Sequence, residues 1–409
     1  MNRALNWLLV LALALALWLR DPLIGLLALL LALLAGVTAL WERYALAGVT
    51  YERRVGARQL FVGDETELVV AITNAKPLSL PWLRADDEFP AELALARGRL
   101  AESYKANRRL LTNLLPLRFY ERVYRHYHLR AAKRGVLAFG PVRLLAGDLF
   151  GLRRQERWLE QVDELVVYPR VVPWDALLMP AGYPSGDRLA ARRVVDDPLR
   201  VTGARPYTPG DNPRYLHWKA TACRGELQTR TFEPGATPRT AIFLDVQTVR
   251  GAPGTIEAYV EYAIVVAASL ARCLLDGRQA VGLFANALLR NSRDLVRLPV
   301  SRHPDQWREI LDALARAIDL PRMPLERLLA SEMPALPYGA AVVAISAVPD
   351  VSLYAALLDL QRAGHPTFLL AIGDTAPADV PEVLACTWLG GRDAYVALVA
   401  ASGTAGGAA

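Results

Sequence analysis

Three residues near the middle of the chain have the types that thiol catalysis needs. Asp211, His217 and Cys223 lie within 13 residues of one another, and a cysteine beside a histidine base is an activated nucleophile. No device for stabilising an oxyanion accompanies them, and Asp211 with His217 supplies too few ligands for a metal ion. These three residues therefore do not favour a catalytic site. A hydrolase that uses residues 205–230 remains an alternative function for the protein.

The cysteines also exclude two common structural roles. Cys223, Cys273 and Cys386 are odd in number, far apart and without CxxC spacing. This pattern predicts neither a disulfide framework nor a zinc site, and it suits a reducing compartment.

The segment 205–230 is rich in side chains that dominate protein interfaces. Tyr207 and Trp218 occur there among arginine and lysine residues, and Trp, Tyr and Arg are enriched in binding hot spots. Two interpretations follow: a turn held by Arg–Asp pairing with Trp218 packed on the next domain and so buried as a core residue, or a docking surface for another protein.

Two uncharged runs precede everything else and predict a membrane anchor. Residues 23–41 form a run of 19 residues, or ~28 Å of helix at ~1.5 Å per residue, which matches the hydrocarbon core of a bilayer. Residues 4–19 form a slightly shorter run, and Arg20, Asp21 and Pro22 separate the two. We predict a transmembrane hairpin of two helices over residues 1–45, with a signal peptide or a buried hairpin as the alternatives.

The flanking charges predict the orientation of this hairpin. Arg3 precedes it, only Arg20 lies in its turn, and Arg43, Arg53, Arg54 and Arg58 follow it. Positive charge marks the cytoplasmic side of a membrane protein. We therefore expect a two-helix protein of the inner membrane with its soluble domains in the cytoplasm.

Residues 50–170 are predicted to form a small β-sandwich-like domain. Short runs rich in β-branched or aromatic residues at 66–73, 119–131, 136–139 and 164–168 are separated by Gly, Pro and Asn signals, which is the pattern of several short strands.

This predicted domain contains most of the basic excess. Residues 97–134 hold eleven Lys or Arg against two Glu, whereas the whole chain has a net charge of +6. A solvated strand face, contact with membrane lipid and nucleic-acid binding all fit such a stretch. No RNA- or DNA-binding motif accompanies it, and we do not expect a nucleic-acid partner.

Residues 238–400 are predicted to form an α/β domain of Rossmann type. Apolar runs at 240–245, 280–285, 340–346 and 367–372 alternate with helical patterns at 255–275, 303–318 and 352–362. Nearly continuous apolar strands between helices indicate a parallel sheet covered on both faces. Residues 401–409, rich in Gly and Ala, are predicted to be a flexible tail.

A set of residues resembles a known family, the bacterial domain of unknown function 58. The matching residues are Arg205, Tyr207, Pro209, Gly210, Asp211, Arg214, His217, Trp218, Lys219 and Asp245. Residues 133–135 and 147–152 are similar to the upstream part of that family. The resemblance implies a signature segment at 171–237, a C-terminal domain similar to von Willebrand factor A, and a MoxR-type AAA+ ATPase as partner; it implies no known reaction.

The resemblance also implies a place for Mg²⁺. The metal site of A-type domains begins Asp-x-Ser-x-Ser at the end of the first strand, where this chain has Asp245 and Gln247 but Val249. Asp350 is the candidate substitute for the later aspartate. The expectation is a degenerate site, with no required cofactor.

These observations predict a membrane-anchored, non-enzymatic interaction protein that docks the ATPase in envelope or complex assembly. The alternatives are a membrane-associated hydrolase and a lipid-surface scaffold that uses residues 97–134. The candidate docking residues are Arg205, Tyr207, Gly210, Asp211, Arg214, His217, Trp218 and Lys219.

Overall fold

The computed structural model describes residues 7, 14, 22–95, 100–148, 153–178, 201–208, 216–232, 238–249, 255–290, 292 and 294–405. The chain divides into two compact units, Met1–Tyr168 and Pro169–Ala409. Each unit is described by itself.

The N-terminal part of unit 1 contains an apolar helix, α1 (Pro22–Tyr44). Leucine side chains are exposed along its length, among them Leu23, Leu29, Leu33 and Leu40. The structure confirms an N-terminal apolar helix at the second predicted run. The first run, residues 4–19, lies outside the described residues apart from Trp7 and Ala14, which are helical.

In the described residues after α1, unit 1 has twelve strands in three sheets. The first sheet has the order β1 (Val49–Val55), β3 (Glu65–Asn74), β8 (Arg122–Ala131) and β5 (Leu93–Leu95). The second has the order β11 (Arg154–Leu159), β10 (Val142–Gly147), β4 (Leu80–Pro90), β7 (Arg108–Leu117) and β6 (Ala101–Glu102). The third has the order β2 (Gln59–Phe61), β12 (Asp163–Tyr168) and β9 (Gly135–Phe139).

One hydrophobic cluster joins the three sheets because each strand alternates its side chains between two faces. Leu68 and Ile72 from β3, Leu83 from β4 and Leu165 from β12 are fully buried in that cluster. The strands predicted at 66–73, 136–139 and 164–168 are confirmed as β3, β9 and β12, and the body of unit 1 is β-rich.

A buried ion pair lies within this core. Arg53 on β1 and Asp87 on β4 are 3.0 Å apart with both side chains 0% exposed, and Tyr51 Oη donates to Asp87 Oδ2 at 2.8 Å. Arg53 Nε also lies 3.1 Å from Asp163 on β12. Burial raises the pKa of Asp87 to about 6, against the lowering effects of Arg53 and Tyr51. Arg53 therefore links one strand from each of the three sheets.

Unit 2 starts with α2 (Trp174–Leu178), β13 (Val201–Pro206), α3 (Trp218–Arg224) and β14 (Gln228–Phe232). An α/β region follows. Its elements are β15 (Arg239–Leu244), α4 (Glu257–Asp276), β16 (Ala280–Leu289), β17 (Leu295–Ser301), α5 (Gln306–Arg316), β18 (Ala317–Pro321), α6 (Leu325–Glu332), β19 (Ala341–Ser346), α7 (Val351–Arg362), β20 (Thr367–Ala371), β21 (Ala385–Trp388) and α8 (Arg392–Ala405).

The seven strands from β15 onwards form one sheet. Its order is β17-β16-β15-β19-β20-β21, and β18 pairs with β16. β15, β16, β19, β20 and β21 are parallel, whereas β17 runs antiparallel to β16. The strands predicted at 240–245, 280–285, 340–346 and 367–372 are confirmed.

Helices cover both faces of this sheet. Ile242 and Leu244 of β15 pack in a cluster with α4 and α5, whereas Ala241 and Phe243 pack in a second cluster with α6 and α7. Successive residues of a strand point to opposite faces, so the two clusters lie on opposite sides. This arrangement explains the uninterrupted apolar character of β15.

Two elements differ from the sequence-based expectation. The helix predicted at 303–318 ends at Arg316, because Ala317 begins β18 and pairs with Leu289 of β16. In the tail predicted at 401–409, residues 401–405 are instead part of α8, which continues to Ala405; residues 406–409 lie outside the described residues.

Helix α4 also shows why apolar length alone does not identify a membrane span. Among the described residues, Gly25–Tyr44 and Glu257–Asp276 are both long and apolar enough to cross a bilayer. Most of the second is buried in unit 2, where Val260, Ile264 and Val266 are among the core residues. It is therefore a core helix of the α/β region.

Replacing the buried arginine tests the connection between the three sheets of unit 1. We expect Arg53→Leu to lower the free energy of unfolding by ~3–5 kcal/mol, because it leaves a buried carboxylate without its partner. The matched control is Arg54→Leu, whose side chain is 71% exposed and whose loss we expect to change stability by less than ~0.5 kcal/mol. Urea unfolding of both variants is the measurement.

The double variant Arg53→Leu, Asp87→Leu separates lost pairing from lost packing. It should recover part of the stability, since the uncompensated carboxylate has gone as well. Equal stability of the Arg53→Leu and Arg54→Leu proteins would contradict the structural role of Arg53.

Candidate functional site

The signature segment forms a two-stranded hairpin with a short helix inserted between its strands. β13 and β14 pair antiparallel, with Arg205 opposite Thr229. The Tyr207 N–H donates to Leu227 O at 2.8 Å, and the His217 N–H donates to Gln228 O at 2.7 Å. These bonds extend the pairing of the two strands up to the start of α3, so the helix is held in a fixed place.

Capping residues at both ends define α3. His217 is the N-cap, and its Nδ1 accepts a hydrogen bond from Ala220 N at 3.1 Å. Gly225 ends the helix in the left-handed conformation, with φ 72°, which glycine adopts without strain. Thr221 Oγ1 accepts from Gln228 N at 3.0 Å. The sequence His217-Trp218-Lys219 therefore starts a helix, and His217 has a structural role as its N-cap.

Trp218, the first residue of α3, projects into solvent. Its exposed fraction is 67%, and α3 contains no buried residue. The interpretation of Trp218 as a core residue is therefore wrong. Arg205 and Lys219 are also exposed, and Tyr207 is partly buried. The remaining predicted docking residues, Gly210, Asp211 and Arg214, lie outside the described residues together with Pro209.

The geometry of α3 separates the residues of the imagined thiol set. His217 caps the N-terminus of α3, and Cys223 lies near its other end. Six residues of helix span ~9 Å along the axis and place the two side chains on different faces. A histidine at that distance is not within hydrogen-bond reach of the thiol. Asp211, the third member, lies outside the described residues.

A second polar cluster lies at the carboxyl ends of the central parallel strands. Asp245 follows β15 and is buried. Its Oδ1 accepts from Gln247 N at 2.9 Å and from Asn286 Nδ2 at 2.7 Å. Its Oδ2 accepts from Ser346 Oγ at 2.8 Å. The cluster Asp245–Asn286–Ser346 therefore joins β15 to its two neighbours, β16 and β19.

Asn286 is the residue of this cluster that sequence reasoning missed. Its Oδ1 accepts from Val246 N at 2.9 Å, and its Nδ2 also donates to Met323 O at 3.0 Å. A single amide within the otherwise apolar run of β16 is the signal that could have identified it, since a buried polar group requires partners.

Burial governs the charge of Asp245. Desolvation raises the pKa of its carboxyl group to about 6, although the bonds from Gln247 N, Asn286 and Ser346 act in the opposite direction. The carboxyl group is thus held by protein donors in an environment that disfavours its charged form.

The donor set does not fit Mg²⁺, which prefers octahedral coordination by oxygen atoms with several waters. Both Asp245 oxygens already accept bonds from protein groups, and Gln247 Nε2 donates to Val249 O at 3.2 Å. Asp350 is instead the N-cap of α7, with Oδ1 accepting from Leu353 N at 2.9 Å. Within the described residues no group of three or more His, Cys, Asp or Glu could hold a metal ion.

The exposure of Trp218 predicts a small effect on folding when it is truncated. Trp218→Ala should change the free energy of unfolding by less than ~1 kcal/mol, as expected for a surface residue. Trp174→Ala is the matched control: Trp174 is only 9% exposed in the core of unit 2, and its truncation should cost ~3–5 kcal/mol. Thermal unfolding of the two variants gives the comparison, and equal losses would contradict the exposed position of Trp218.

The raised pKa of Asp245 predicts a pH dependence of stability. A carboxyl group with a pKa of about 6 in the folded protein and an ordinary value of 3.8 when unfolded binds its proton more tightly in the folded state. Its contribution to stability is therefore lost as the pH rises between these values, by up to ~3 kcal/mol.

The variant Asp245→Asn cannot undergo this titration. Relative to wild type it should gain stability between about pH 4 and about pH 7, as measured by urea unfolding. Asp350→Asn is the control, because Asn and Asp are equally good N-caps. If Asp245→Asn and wild type kept a constant difference over this range, Asp245 would not titrate as described.

Several known proteins are similar to part of this chain. The solved structures include a cohesin module from a Clostridium perfringens family 33 glycoside hydrolase, 15% identical, covering 29% of this chain and 96% of that one with a TM-score of 0.21. The native conformation of E. coli alpha-2-macroglobulin is 18% identical and covers 31% of this chain and 7% of that one, with a TM-score of 0.23. Neither likeness is close enough to support an argument.

Sequence relatives are more informative. The chain is 26% identical over 213 residues to "Uncharacterized protein YeaD" of Bacillus subtilis (strain 168), a match that covers 52% of this chain and 51% of that protein. The match thus spans about half the length of the relative. Residues 203–346, from β13 to Ser346 and therefore including both the hairpin and the Asp245 cluster, match the family described as "Protein of unknown function DUF58".

Proposed function

We propose that this protein is a membrane-anchored, non-enzymatic interaction protein whose α/β unit docks a cytosolic partner. The observation that carries the proposal is the exposure of Trp218 on a helix that is fixed at both ends but has no buried residue. A large aromatic side chain held rigidly in solvent lowers the entropy cost of binding, and tryptophan is among the residues most enriched in hot spots.

The neighbours of Trp218 support a protein partner. Leu227, directly before β14, is exposed, and Arg205 and Lys219 are exposed on the same hairpin. Exposed apolar and basic side chains on one hairpin suit a partner that offers apolar and acidic groups. From the family resemblance, the partner we propose is a MoxR-type AAA+ ATPase, in envelope or complex assembly.

The sheet of unit 2 supports assignment to the von Willebrand factor A-like class. Five parallel strands and the antiparallel β17 follow the order β17-β16-β15-β19-β20-β21, and β18 pairs antiparallel with β16 outside this order. With β18 left out, numbering these strands along the chain gives the doubly wound 3-2-1-4-5-6 order. The place where such sheets bind ligands is occupied here by the Asp245 cluster. This favours docking by surface side chains over docking through Mg²⁺.

Membrane anchoring is supported by α1. Its exposed leucines would cost free energy in water, at roughly 25 cal/mol per Å² of apolar surface, and none in a bilayer. The excess of Arg after α1 favours soluble units in the cytoplasm and an inner-membrane location. The predicted first helix would complete the two-helix anchor.

The alternatives receive less support. The separation of His217 from Cys223 counts against a hydrolase at residues 205–230. For a lipid-surface scaffold at residues 97–134, part of the positive charge is compensated: Arg122 lies 2.9 Å from Glu52, and Lys105 lies 2.6 Å from Glu88.

Affinity capture tests the docking proposal. The full-length chain is isolated from gently solubilised membranes, the captured ATPase is identified by mass spectrometry, and its binding is then measured with purified proteins. We expect Trp218→Ala to weaken binding by at least ~30-fold, corresponding to the ~2 kcal/mol that defines a hot spot.

Tyr338→Ala is the matched control for this experiment. Tyr338 is also in unit 2, is 83% exposed and lies outside the hairpin, so its truncation should leave binding unchanged. The proposal would be contradicted if wild type and a folded Trp218→Ala protein bound the ATPase equally well. It would also be contradicted if the captured material contained no AAA+ ATPase.

A further inference from the structure

A groove lies at the junction between α1 and the strands of unit 1. One wall is formed by residues 37–44, the last two turns of α1, and the other by Lys76, Pro77 and Leu78 between β3 and β4. The groove has a volume of about 490 Å³ and is lined almost entirely by apolar atoms. This size falls within the range of small-molecule sites.

The two walls are held in place by contacts around the end of α1. Arg153 forms an ion pair with Glu42, and the Leu46 N–H donates to Gln155 Oε1 at 2.8 Å. Ala45 and Leu46 are buried in the core of unit 1. The helix therefore enters the β-rich body without a flexible linker, and the groove is a fixed feature of the fold.

Two cations at this junction have only neutral partners. Lys76 Nζ donates to Ala45 O and, at 2.7 Å, to Ala47 O. Arg157 donates through Nη2 to Val49 O, and its Nε is buried without a hydrogen-bond partner. In the part of the chain that the structure describes, neither side chain lies in an ion pair with a carboxylate. Lys76 has three donors and uses two of them here.

The environment of Lys76 disfavours its charge. Burial, and next the charge of Arg157, lower the pKa of Lys76 to about 8. The two positive charges therefore act on each other in a partly desolvated place. An anion there would offset the repulsion and accept the remaining donors.

The location indicates which anion would fit. Trp41 and Tyr44, at the end of an apolar helix, are the residue types that sit at the boundary between hydrocarbon and headgroups. A ligand at this level can place an apolar chain along α1 and a negative group at the cations, and this combination is the chemistry of an anionic phospholipid.

We propose that the groove between α1 and residues 76–78 binds an anionic phospholipid, with an acyl chain against Leu40 and Leu78 and the phosphate at Lys76 and Arg157. The proposal rests on the membrane anchoring by α1 put forward above. It uses a surface different from the basic stretch 97–134, and it makes lipid a specific ligand of unit 1.

Native mass spectrometry of the full-length chain in detergent tests the site. Phosphatidylglycerol and phosphatidylcholine of the same acyl length are titrated in parallel. Wild type should retain phosphatidylglycerol at least ~10-fold more tightly than phosphatidylcholine. The double variant Lys76→Gln, Arg157→Gln should bind the two lipids equally, and Lys76→Arg should keep the preference because it keeps the charge.

A variant that leaves both cations in place tests the apolar part. Ala47 lines the groove, and Ala47→Phe should fill it and weaken the binding of both lipids. Arg125→Gln, which removes an exposed cation from β8, is the control and should bind as wild type does. Inorganic phosphate at the same concentration should not displace phosphatidylglycerol, because it lacks the apolar chain.

Three results would overturn the lipid site: equal retention of the two lipids by wild type, unchanged preference in the double variant, or displacement by phosphate alone. Alkaline carbonate extraction of membranes tests the anchor separately. If the chain stays in the membrane but shows no lipid preference, only the proposed lipid site is contradicted. If carbonate releases the chain, the proposed membrane anchor is contradicted, and the lipid site with it.

Discussion

The architecture of unit 1 depends on Arg53. Its guanidinium group is completely buried and lies beside Asp87 and Asp163, so that one side chain from β1 meets the other two sheets. Such an arrangement is costly unless the geometry is good, because both charges leave water. We expect its contribution to be register, because the pairs with Asp87 and Asp163 form only when β1 is correctly placed relative to β4 and β12. The connection from α1 to β1 is then fixed as well, and with it the groove beside Lys76.

In the α/β region of unit 2, buried polar groups are stabilised by hydrogen bonds instead of an ion pair. The ends of β15, β16 and β19 would leave polar groups unsatisfied at the edge of an apolar sheet, and the Asp245 cluster satisfies them. A sheet end closed in this way is a rigid support. The hairpin of β13 and β14 is rigid for a different reason, since caps and cross-strand bonds hold α3. Trp218 is therefore exposed on a helix whose place in unit 2 is fixed.

Periodicity accounts for what could be predicted from the sequence. Some elements follow from apolar runs whose length and composition are compatible with only one type of secondary structure. They are the buried strands β3, β15 and β19 and the helix α4. β18 was not predicted, because it pairs with β16 across a long stretch of chain, with Leu289 opposite Ala317. β17 was also not predicted, although it follows β16 closely in the chain and pairs with it antiparallel. The boundary of α5 was missed as well, since β18 competes for Ala317.

Contacts over long sequence separation account for what could not be predicted. Asp87 and Arg53 are 34 residues apart, and Asn286 and Asp245 are 41 residues apart. No local sequence pattern therefore predicts either contact. The composition of residues 205–230 identified an unusual segment but did not predict which of its side chains are buried. Only the fold shows that Trp218 is exposed to solvent and that His217 is the N-cap of a helix. Asp350 looked like a metal ligand, although an aspartate directly before a helix is a typical N-cap.

The two terminal strands of the seven-stranded sheet have a consequence for association. At one end β17 contains Pro299, which has no N–H to offer, and at the other β21 spans only Ala385–Trp388. Exposed sheet edges invite pairing with further chains, and prolines and very short strands are two ways in which proteins prevent it. Copies of this chain are thereby protected against strand-to-strand aggregation through the edges of this sheet.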